Sequence, residues 1–126
     1  MTIHVGFDDA RNLITVASTG AANQNERLEA LRNLRLDSSF RSDYQILCRF
    51  FDDRYAPGRA ECIHLWLTLS AFFRGQQIAL VVGNHELAPL REGVAMFNTE
   101  RVEINVFNDV IAATRWLLSQ REAMAA

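Results

Sequence analysis

Apolar positions recur along this chain with two different spacings. Ile3, Val5 and Phe7 alternate with His4 and Gly6, which predicts an edge strand with one buried face. The segment DDARN supplies a turn, and LITVAS (13–18) reads as a second strand. So short a join predicts antiparallel pairing of the two. The spacing then changes. In NQNERLEALRNLRL (23–36), Leu28, Leu31 and Leu34 make one stripe against an Arg- and Glu-rich face, and Asn23 with Glu26 fits a capping box.

YQILCRFFDD (44–53) is apolar almost throughout, as expected of a strand covered on both faces. AECIHLWLTLSAFFRG (60–75) reads as a second helix closed by Gly75. QIALVVGN (77–84) is a fourth strand. ELAPLREGVAMFN (86–98) is a helix with Pro89 in its first turn and Leu90, Val94 and Phe97 on one side. Val102, Ile104 and Val106 alternate as a far edge strand should. Asn108 or Asp109 caps a last helix that buries Ile111, Trp116 and Leu117 or Leu118.

The element order is ββαβαβαβα. Alternating strands and helices predict that strands two to five are parallel. Parallel crossovers are right-handed, so strands added in sequence to one edge place every helix on one face. The expected fold is therefore α/β: a two-layer superhelix with a five-stranded mixed sheet and helices on one face. It forms a single domain over residues 1–122, with 123–126 a frayed tail.

Composition adds exclusions. The 126 residues suit one domain, and a net charge of −2 gives no general field for nucleic acid. All 13 basic residues are arginine. Without lysine there is no Schiff base on a side chain and no phosphate-loop lysine. Cys48 and Cys62 have no metal or redox spacing and fall in apolar runs, as buried free thiols do. No cofactor or metal site is expected. The start, MTIHVGFDD, lacks the pattern of a secretory signal, and no apolar run is long enough to span a membrane. A cytoplasmic location is expected.

An N-terminal hairpin, a strand ending in FFDD, a long apolar helix, IALVVGN, and a final VFNDVIAATRWL occur here in that order. Together they resemble the SpoIIAA-like, or STAS-type, domain, and the ending resembles that of bacterial SpoIIAA-like proteins of unknown role. The resemblance implies a non-enzymatic regulatory or protein-binding module. Better-understood members are anti-sigma-factor antagonists switched by phosphorylation of a Ser or Thr after the middle strand. The corresponding stretch here, DDRYAPGRAEC (52–62), holds neither residue, so the phospho-switch is missing. The related Sec14-type fold carries lipids, which implies a small apolar ligand as the alternative.

Ligands of open parallel sheets collect beyond the carboxyl ends of the strands. Asp52, Asp53, Arg54, Arg59, Asn84 and His85 fall there and form the candidate ligand or partner loop. Asp52, Asp53 and His85 could also serve as acid and base, a second alternative, although loop and helix capping is the commoner reason for such residues. Along the second helix, Cys62, Leu65, Trp66, Leu69, Phe72 and Phe73 exceed what a one-sided surface helix needs, so they are expected to line a pocket or an interface. Helices on a single face would also leave Leu47, Phe51, Ala79 and Val81 uncovered. A homodimer is the expected remedy.

Overall fold

The computed structural model describes residues 2–19, 24–50, 59–73, 76–97 and 103–125. Strands β1 (Thr2–Asp8) and β2 (Leu13–Thr19) form the predicted antiparallel hairpin, with Val5 opposite Val16. The turn between them is held by the Arg11 amide donating to both the carbonyl and a carboxylate oxygen of Asp8, at 3.2 Å each. It closes on Asn12, whose φ of 51° lies in the left-handed region that asparagine tolerates.

Strands β3 (Gln45–Phe50), β4 (Gln77–Val82) and β5 (Glu103–Phe107) add in parallel, giving the spatial order β1-β2-β3-β4-β5. Helices α1 (Gln24–Leu36), α2 (Arg59–Phe72) and α3 (Asn84–Phe97) are the crossovers, and α4 (Val110–Ala125) follows the last strand. The predicted order of elements holds. Two bounds differ. Helix α3 starts two residues earlier than its pattern suggested, so Pro89 lies beyond the first turn, and α4 runs past Glu122 to Ala125.

The main core lies between the sheet and the crossover helices. Ile14, Val16, Ile46, Cys48, Phe50, Ile78, Leu80, Val82, Ile104 and Val106 point to this side. They meet Leu28, Leu31 and Leu34 of α1, Leu65 and Leu69 of α2 with Phe73 just beyond it, and Leu90 of α3. Strand side chains alternate, so Leu47, Ala79 and Val81 point the other way.

That second face is not bare. Ala113 and Leu117 of α4 pack on Leu47, Ala79 and Val81, and Leu13, Phe107, Val110 and Trp116 close around them. The expectation of helices on one face is therefore corrected: three helices cover one side and α4 covers the other. The handedness rule constrains only a helix joining two parallel strands. Helix α4 joins nothing after it, so it folds over whichever apolar face is still open. The surface that called for a twin subunit is, over β3–β5, buried by the chain itself. The buried face of α4 departs from its sequence reading at Ile111, while Trp116 and Leu117 pack in the second core as read. Leu117 is 3% exposed, whereas Ile111 and Leu118 are 62% and 54% exposed.

Candidate functional site

The predicted strand-end cluster is seen only in part. Asp52, Asp53 and Arg54 lie outside the described residues, as do the side chains of Arg59 and His85. Asn84 opens α3, and its Oδ1 accepts a 2.8 Å hydrogen bond from Nδ2 of Asn108, tying the carboxyl ends of β4 and β5 together. Asp109 caps α4, its carboxylate accepting from the Ile111 amide at 3.0 Å. Here polar residues at strand ends fasten helices to the sheet.

Nor does α2 offer its apolar face outward. Leu65, Leu69 and Phe73 are buried in the main core, and Phe72 packs against it in part. The side chains of Cys62 and Trp66 lie outside the described set. Leu67, on the far side, is exposed. The run LWLTLSAFF thus supplies core at these positions.

An apolar cleft lies elsewhere, between α4 and the amino ends of β2 and β3. Its volume is about 280 Å³, and Leu13, Leu47, Leu117 and Leu118 form its walls. Arg11, Gln45, Thr114 and Arg121 add polar groups. Helix α4 starts at the carboxyl end of β5 and runs back over the sheet, which carries its later turns to the opposite end from the predicted site. Gln45 is buried at the inner end, where its Nε2 donates to Gln77 Oε1 and to the Leu117 carbonyl, each at 2.7 Å. Gln77 continues the chain to Gln120 at 3.4 Å.

Two guanidinium groups stand at the cleft. Arg121 donates through Nη1 to the carbonyl of Arg11. Arg11 is paired with Asp8 at 3.5 Å, an exposed and hence weak ion pair. Both guanidinium groups line the cleft, and no described carboxylate is among its lining residues. No sequence pattern could have joined these arginines, since they lie 110 residues apart. Only the return of α4 across the sheet brings them together.

A second, more polar trough of about 590 Å³ separates α1 from α2, with Glu29, Arg32 and His64 among its lining residues. His4 lies on β1, so His64 and His4 do not converge. Among the described residues, no three His, Cys, Asp or Glu side chains gather closely enough to hold a metal ion. Among them, too, no helix is long and apolar enough to cross a membrane. Comparison with known proteins finds no family model, curated protein or solved structure that matches this chain.

Proposed function

We propose that this chain is a non-enzymatic binding domain, SpoIIAA-like in kind, that holds a small apolar molecule bearing an acidic group. The observation that carries this reading is the leucine-walled cleft beneath α4 with Arg11 and Arg121 beside it. Apolar walls favour a hydrocarbon body, and a pocket of this type takes its orientation from a few polar groups. Guanidinium donors suit a carboxylate, which they can bind through two parallel hydrogen bonds. At about 280 Å³ the space suits a medium-chain acid rather than a membrane lipid.

Decanoate, decanol and acetate are the probes. Decanoate is expected to raise the melting temperature in proportion to the logarithm of its concentration, as a ligand of the folded state does. Decanol should do so less and acetate not at all. Arg121→Gln should weaken decanoate binding by about tenfold, since a charge-assisted hydrogen bond is worth roughly 1.5–3 kcal/mol. Equal shifts with decanoate and decanol would remove the role of the arginines, and no shift with either would remove the site.

A further inference from the structure

The two edges of the sheet are treated differently. At β5, both main-chain groups of Val106 are occupied by side chains: the amide donates to Asn105 Oδ1 at 2.9 Å, and the carbonyl accepts from Arg91 Nε at 3.3 Å. At Val106 that edge is not free to pair with another strand. At β1, no described side chain bonds the main chain of Ile3–Phe7, and no described strand pairs with its outer side. Sheet edges are commonly guarded by proline, lysine, bulges or a covering element. Strand β1, TIHVGFD, has neither residue, pairs with β2 without a bulge, and carries a carboxylate only at its end. Val5, at its centre, is 40% exposed.

We infer that β1 pairs antiparallel with β1 of a second copy, about a two-fold axis at Val5, to make one continuous sheet. The strand itself selects this register. Centring on Val5 is the arrangement that pairs all seven residues, Thr2 with Asp8 through Val5 with Val5. It sets Ile3 opposite Phe7 on the side that faces α1, extending the apolar face. On the other side it sets His4 opposite Gly6. Nothing lies within 4 Å of where a Gly6 Cβ would stand, so the imidazole of the second copy finds open space there. An aromatic ring laid across an edge glycine is a known means of stabilising such a pair. The groove between β1 and α1, floored by Ile3 and Val5, would then lie along the seam. This self-pairing is independent of the cleft beneath α4 and of any ligand there.

Sedimentation equilibrium of the full chain decides the matter. The wild type is expected to be dimeric at tens of micromolar. Val5→Lys, which sets two ammonium groups face to face at the axis, should weaken dimerisation at least about tenfold. Its circular dichroism should be unchanged, because the site is exposed. Ile111→Lys, at an exposed position of α4 that lines neither the cleft nor β1, should leave the dimer intact. In a Cys62→Ser background, Val5→Cys should be linked between copies by a short bismaleimide. A monomeric wild type overturns the inference, as does a dimer broken by Ile111→Lys but not by Val5→Lys. A dimer in which Val5→Cys fails to cross-link overturns the register.

Discussion

Gln45 Nε2 lies 2.7 Å from the main-chain carbonyl oxygen of Leu117, joining the start of β3 to the middle of α4 inside the second core. The same nitrogen uses its other hydrogen on Gln77 Oε1 of β4. One buried amide thus fixes where the last helix rests on the sheet, and so sets the shape of the cleft beside it.

Gln45→Leu should destabilise the fold by about 1–3 kcal/mol, because it removes a donor from one buried and one half-buried acceptor without creating much space. Urea unfolding would measure the loss. A double-mutant cycle with Gln77→Leu should show coupling, since the two side chains share one hydrogen bond.

Leu117 and Leu118 are neighbours in sequence with opposite fates. Leu117→Ala should cost about 2–5 kcal/mol by opening a cavity over Leu47 and Val81. Leu118→Ala, at a half-exposed position, should change stability by no more than about 0.5 kcal/mol. Equal effects would mean that α4 sits in a different rotation.

The Cys48 thiol is pushed up to about 12, by burial against a smaller opposing pull from the Arg27 guanidinium. An unfolded thiol ionises near 8.5. Between those values the folded state keeps a proton that the unfolded state loses. Stability should therefore fall as pH rises from about 8.5 towards 12, by up to about 1.4 kcal/mol per pH unit from this group. Below about 8.5 the thiol contributes no slope. In a Cys62→Ser variant, a disulfide reagent at pH 8 should modify Cys48 only after denaturant is added.

Asn105→Val should leave the fold stable but free the Val106 amide at the β5 edge. A second sheet edge then becomes open, and concentration-dependent light scattering should rise above that of the wild type. If it does not, Arg91 and α3 are sufficient to guard that side.

The order and kind of the elements were legible because each depends on local spacing. The Leu28, Leu31 and Leu34 stripe could only be a helix with one buried side, and all three are buried. The closed Val106 edge and the Gln45 bridge were not legible, since each rests on residues brought close by topology. The candidate site was read least well. Asn84 does stand at a strand end, but its partner is Asn108, and the leucine-walled cleft opened at the other end of the strands.

Sequence alone determined a mixed α/β chain with β1 and β5 at the edges, because the alternation of apolar residues reports how many faces of a strand are covered. It could not say by what. The second face of β3 and β4 is equally apolar whether a twin subunit or the chain's own last helix lies on it. Tertiary structure decided for α4, which carries no crossover and is free to bury that face without the entropy cost of association.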